Sequence, residues 1–198
     1  PADNLVTTEF VEVLEKSQND GINFDLIAFD ACLMGMIEVG YEIRNYTDYF
    51  VAAEEVVGGD GYDYTTAFSA FESELGNVNP DELAQSLVQS FEEFYVYDGN
   101  DADTLSAVNT SQLEQVAESL KAFTDSASLA PEEERGAISS LRNQTIRYTE
   151  KNFIDLGDWL KKVSRSQVVS VELRDLAENV LESINESVKY KTRDARNS

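Results

Sequence analysis

The sequence predicts an α/β fold, a parallel-rich sheet flanked by helices, continued by an additional, mainly helical C-terminal region. Three observations lead to it. Two short, continuous apolar runs, FDLIAF at 24–29 and YFVAAEE at 49–55, have the character of buried strands. Between them MIEVGYEIR has helical spacing, giving a strand–helix–strand unit whose crossover makes the two strands parallel. Beyond Asn109 the apolar residues recur at helical spacing, so 1–109 reads as the α/β part and 110–198 as a helical region packing on it.

The elements follow in order. LVTTEFVEVLEKS places Phe10, Val11 and Leu14 on one helical face, with Thr7 or Thr8 as the expected N-cap. The first strand, the crossover helix and the second strand come next. VVGGDGYDY is rich in Gly and Asp and reads as a loop. TTAFSAFESEL and PDELAQSLVQSFEEFYV are helical by period, the latter with Asn79 as N-cap and Pro80 at the first helical position. DTLSAVN reads as a third strand. SQLEQVAESLKAFTDSA, LAPEEERGAISSLRNQTIRY, FIDLGDWLKKV and SVELRDLAENVLESINESV complete the helices. YDGNDAD at 97–103 has acids in alternation, but Asp103 stands where a calcium loop needs Gly and the terminal Glu is absent, so a turn is expected.

Composition narrows the functions. The chain has 198 residues, 42% of them hydrophobic, enough for a sizeable core. Fifteen Lys and Arg against 38 Asp and Glu give a formal net charge of −23, which argues against nucleic acid as a partner. No apolar run approaches the roughly 20 residues of a membrane span, and the start PADNLVTTEF has no signal-peptide pattern, so any export signal is expected outside this chain. One cysteine and no histidine make a zinc or iron–sulfur site implausible, and no cofactor is expected.

The single cysteine, Cys32, stands in FDLIAFDACLMGMIEVGYEI, where the first strand passes into a helix. Functional groups collect at the carboxyl ends of parallel strands. Side chains two apart share a side of an extended chain, so Asp30 and Cys32 would project together if that geometry continues. A helix opening just beyond would favour thiolate over thiol. Free cysteine is also among the most buried residue types, and a nucleophile needs a base that this chain lacks. From the residues alone, both a core thiol and a nucleophile stand, with Met34 and Met36 in the core in either case.

This segment resembles the catalytic-cysteine region of the clostripain family of caspase-like cysteine peptidases, in which a strand ends in Asp-x-Cys-x-Met and leads into a helix. The likeness continues through VAAEEVVGGDGYDY, DTLSAVN and FIDLGDWLKKV, four ordered matches between Phe24 and Val163. It implies a caspase-like sheet, Cys32 as nucleophile, and Asp30 and Asp60 as acids of a pocket for Arg or Lys. Two carboxylates in a partly desolvated site suit a guanidinium. Asp60 reads equally as a turn residue of a Gly-rich loop. Glu54 and Glu55 are secondary candidates, for the pocket wall or for the strand end.

The resemblance further implies a peptide or protein substrate and a partner segment, since the family's His-Gly motif lies on the preceding strand and has no counterpart here. Several family members mature by a cut between the histidine and cysteine segments, and this chain fits the second of such a pair. The hydrophilic end YKTRDARNS, with no further apolar strand after it, fits a truncated C-terminus as well. Part of the oxyanion hole would come from the Cys32 N–H and part from the Gly after that histidine. The family favours a secreted or cell-surface setting, and some members use calcium, with which the acidic surface is compatible. The expected activity is cleavage after Arg or Lys by a Cys-His dyad. The rival expectation is a non-catalytic caspase-like binding module that has lost the base.

Overall fold

A computed structural model of the chain describes residues 6–71, 77–97 and 104–193. The chain divides into two compact units, residues 1–111 with 188–198, and residues 112–187.

The first unit is built on a four-stranded sheet of β1 (Leu26–Ala28), β2 (Tyr49–Ala52), β3 (Ser106–Asn109) and β4 (Val188–Lys191), in that spatial order. β1 and β2 are parallel and joined by α2 (Ile37–Ile43), the crossover expected from the apolar runs. β2–β3 and β3–β4 are antiparallel, so the sheet is mixed and its one parallel pair lies at the β1 edge. β4 is absent from the sequence reading: VKYK alternates half-buried with exposed residues, a weak pattern that merges into the preceding helix.

Side chains of β2 alternate between two cores, as the pleat requires. Val51, with Ala53 just beyond the strand, faces Leu87, Phe91 and Tyr95 of α4 (Pro80–Tyr97) and Ala67 of α3 (Tyr64–Ser69). Phe50 and Ala52 face the other way, onto Ile43 of α2 and Leu14 of α1 (Thr7–Asn19), with Phe10, Phe29 and Met34 around them. Edge-to-face contacts at 5.4 Å (Phe10–Phe29) and 5.8 Å (Phe29–Phe50) tie α1 to the sheet through aromatic geometry. Met36 is half-buried and N-caps α2. The α1 N-cap is Val6, one residue before the expected threonines, and Glu9 supplies the acceptor for its N–H at 2.9 Å. Asn79 caps α4 as its residue type predicts, accepting from the Asp81 N–H at 3.0 Å.

The second unit holds α5 (Leu113–Leu129), α6 (Glu132–Arg142), α7 (Leu156–Ser164) and α8 (Val171–Ser187) around Phe123, Ile138, Leu160, Val163, Leu173 and Val180. Asp155 caps α7, accepting from the Asp158 N–H at 2.8 Å, while the Asp158 carboxylate takes the Ile146 N–H and pairs with Lys162. The Asp-Leu-Gly-Asp stretch is thus a helix start stitched to the preceding loop. The candidate calcium loop at 97–103 lies, from Asp98 onward, outside the described residues.

Candidate active site

The site forms where the chain leaves β1. Phe29 keeps the pairing one residue further, its N–H on the Val51 carbonyl at 2.9 Å, and the chain then turns. Cys32 therefore lies on a turn beyond the strand, with Asp30 between the strand end and that turn, so the strand on which their shared side depended does not reach Cys32. Leu33 carries the only positive φ of a non-glycine described residue, 60°. Left-handed backbone costs a leucine roughly 1–2 kcal/mol, which the surroundings must hold. Its N–H reaches the Glu55 carbonyl at 3.2 Å, and the Gly35 N–H reaches the Ala53 carbonyl at 2.7 Å. Gly35 is required for that approach, because a Cβ would lie 2.7 Å from the Ala53 carbonyl carbon.

Cys32 is exposed, so it is not a core thiol. Its Sγ accepts from the Val57 N–H at 3.4 Å and lies 3.9 Å from the Val57 carbonyl. The second anchor of the turn is thus the loop after β2. The helix expected to favour the thiolate begins only at Ile37, behind Leu33 to Met36, so the thiol does not sit on its N-terminus. What orients Sγ instead is the Val57 peptide.

The Gly-Asp-Gly segment forms a tight turn, the Gly61 N–H donating to the Gly58 carbonyl at 3.0 Å, with Asp60 exposed near its tip. Tyr95 of α4 fixes this turn from below: its hydroxyl donates to the Gly61 carbonyl at 3.0 Å, and a Cβ on Gly58 would fall 2.4 Å from its ring. Gly61 has φ 69°, and a Cβ there would meet Asp30 Oδ2 at 2.6 Å. Glycine at this point lets the loop lie directly on Asp30.

Asp30 is consequently the joint between the two turns. Its Oδ2 accepts from the Tyr62 N–H at 3.3 Å and from the Tyr64 hydroxyl at 2.9 Å, while the Tyr62 hydroxyl donates to the Phe29 carbonyl at 2.7 Å. Burial pushes the Tyr62 phenol up, and the charges of Asp30 and Tyr64 push it further. Tyr64 is raised by burial, then by its hydrogen bond to Asp30. Both phenols therefore remain donors throughout the neutral range.

The structure brings Asp30, Cys32 and the loop carrying Asp60 into one region. Glu54 and Glu55 are half-buried, with both N–H groups on the Thr104 hydroxyl at 3.2 and 3.1 Å, and the Glu55 carboxylate accepts the Val56 N–H at 2.9 Å. These bonds secure the strand end. Tyr62, Tyr64 and Val57 are contributors that the sequence reading passes over. The signal was the pair of tyrosines directly after Gly-Asp-Gly, aromatic residues where a solvent loop has little use for them. Among the described residues, no group of three or more His, Cys, Asp or Glu is placed to hold a metal ion.

Comparison with known proteins bears on the fold and the family of the chain. A family model described as the clostripain family matches residues 1–197. Clostripain of Hathewaya histolytica is 28% identical over 233 aligned residues, covering 100% of this chain but 44% of that protein, so the chain spans less than half the relative's length. A clostripain from Bacteroides thetaiotaomicron, in complex with the peptide inhibitor BTN-VLTK-AOMK, superposes with a TM-score of 0.72 at 21% identity, over 95% of this chain and 74% of that one. A secreted C11 cysteine protease from the same organism gives 0.70 at 21% identity, over 92% and 47%. An inactive zymogen C11 protease from Parabacteroides distasonis gives 0.63 at 20% identity, over 94% and 47%. The structural likenesses establish the fold, the family model covers nearly every residue, and the chain accordingly belongs to the clostripain family of caspase-like cysteine peptidases.

Proposed function

We propose that this chain is the nucleophile-bearing part of a cysteine endopeptidase that cuts after Arg or Lys, with its histidine supplied by a segment outside the chain. The observation that carries this reading is the position of Cys32. It is exposed on a turn at the end of β1, the outermost strand of the sheet. β1 reads Leu-Ile-Ala, yet Leu26 and Ile27 are only half-buried and Ala28 is exposed, and no strand lies on its outer edge among the described residues. A strand so apolar suits a central place in a sheet. A further strand paired along that edge would end beside Cys32 and deliver a base to it.

In that assembly the histidine takes the thiol proton and Sγ attacks the scissile carbonyl carbon. The C–N bond then breaks and the amine leaves with the proton, after which water releases the acyl group from Cys32. Asp60, exposed on its turn, and Asp30, beside the nucleophile, supply negative charge for a cationic side chain. The lysine in the inhibitor bound to the related Bacteroides protein supports a basic preference, and the secreted relative supports an exported setting.

The test is hydrolysis of matched peptides bearing Arg, Lys or a neutral residue before the scissile bond, by the protein with its upstream segment. Cleavage of the basic peptides is expected. In Asp60→Asn, kcat/KM for the basic peptides should fall about ten- to a hundredfold while the neutral peptide changes little. No cleavage by the complete protein would make the chain a caspase-like binding module, and equal losses for all peptides would reduce Asp60 to a turn residue.

A further inference from the structure

Asp30 poses a problem for a residue meant to read a substrate's charge. A carboxylate on an exposed turn rotates freely about its terminal torsion, and ordering it on binding costs affinity. Here one oxygen is already taken. Tyr64 Oη and the Tyr62 N–H both donate to Oδ2, at 2.9 and 3.3 Å, whereas Oδ1 accepts no hydrogen bond among the described residues. The two donors follow Asp60 closely, one on its loop and one at the first residue of α3, so they fix the carboxylate relative to that segment.

The Tyr64 ring is itself braced. It stacks on Phe68 one helical turn along α3, with centroids 6.2 Å apart and planes at 17°, and packs against Tyr62 at 5.9 Å. Asp63 caps the same helix, accepting from the Thr66 N–H at 3.2 Å. The hydroxyl is thus carried on a capped helix start whose inner face is pinned by Ala67, fully buried in the core. Tyr64 remains 49% exposed, more than its packing role alone explains.

We propose that Tyr64 is a positioning residue for substrate charge: it holds Asp30 Oδ2 so that Oδ1 stands ready for the guanidinium or ammonium group of the substrate. The inference rests on the basic specificity proposed above and goes beyond it by assigning a residue outside the acidic pair. Through Asp30, the Tyr64 hydroxyl links recognition of the cation to the geometry of the Cys32 turn. Its contribution is preorganisation, so it acts on binding of the charged residue and not on the acyl chemistry at Sγ.

Tyr64→Phe removes the hydroxyl and keeps the stacked ring. In the complete enzyme, kcat/KM for the Arg peptide should drop about tenfold, mainly through KM, with a much smaller change for the neutral peptide. In an Asp30→Asn background the same substitution should leave the Arg-to-neutral ratio where Asp30→Asn alone puts it, because the hydroxyl then has no charge to position. Binding of an Arg peptide to the Cys32→Ala protein by calorimetry gives the same comparison without turnover, and a tenfold weaker Kd is expected for Tyr64→Phe. If the wild type prefers basic peptides and Tyr64→Phe preserves that ratio and that Kd, the positioning role is wrong and the basic specificity stands. An equal loss for charged and neutral peptides also overturns it, by making Tyr64 a support for the loop. A wild type with no basic preference removes the specificity itself, and this inference with it.

Discussion

At the scale of the residue, Cys32 is defined by what it lacks as much as by what it touches. It is exposed, with Sγ against the Val57 peptide and no imidazole anywhere in the chain. Cys32→Ala in the complete protein is expected to lower peptide hydrolysis by more than about 10³-fold, while denaturant unfolding moves by no more than about 0.5 kcal/mol. A large loss of stability with activity retained would make the thiol structural. Asp30 and Cys32 could be singled out from the sequence, but the backbone between β1 and α2 could not. Period-2 alternation would put them on one side of a continuing strand, whereas Cys32 lies on a turn with Leu33, whose φ is positive. Backbone strain of that kind leaves no trace in residue type, since leucine rarely adopts it.

At the scale of the element, glycines and tyrosines do the joining. Gly35→Ala would drive a Cβ into the Ala53 backbone at 2.7 Å, where neither partner is a flexible side chain. A destabilisation of about 1–3 kcal/mol is expected by urea unfolding, with loss of activity beyond it because the Cys32 turn shifts. β4 is tied to α4 by the Tyr190 hydroxyl, which donates to Asp81 Oδ2 at 2.8 Å. That hydrogen bond, then burial and the Asp81 charge, raises the Tyr190 phenol from 10.0 to about 12. The folded chain keeps this proton where the unfolded chain loses it. The contribution is therefore full below pH 10 and fades as pH rises towards about 12. In Tyr190→Phe, stability should decline less steeply over that window than in the wild type, and parallel declines in thermal melts would exclude the tie. The β1–α2–β2 crossover, β3 and the presence of the helices were readable from periodicity, but not every helix end: α6 stops at Arg142 where the pattern ran on to Tyr148, and the end of TTAFSAFESEL, from residue 72, lies outside the described residues. β4 was not, because four residues of alternating polarity carry too little signal beside the helix before them, and the antiparallel sense of β3 depends on a return path no local pattern encodes.

At the scale of the whole molecule, the purified 198-residue chain should not hydrolyse Arg or Lys peptides. A thiol without a proton acceptor and donor forgoes about 10²–10⁴-fold of acid–base catalysis. Adding the upstream segment in trans or by co-expression should restore turnover, and turnover by the purified chain alone would refute the dependence. The outer edge of β1 carries a consequence for handling the molecule. Among the described residues no strand covers that edge, and a row of unpaired N–H and C=O groups on an apolar strand is a template for any extended chain. Produced alone, the protein has a second copy of itself as the nearest such chain, so concentration will favour edge-to-edge association and eventual precipitation, held back by a mutual repulsion from 23 net negative charges that added salt would screen.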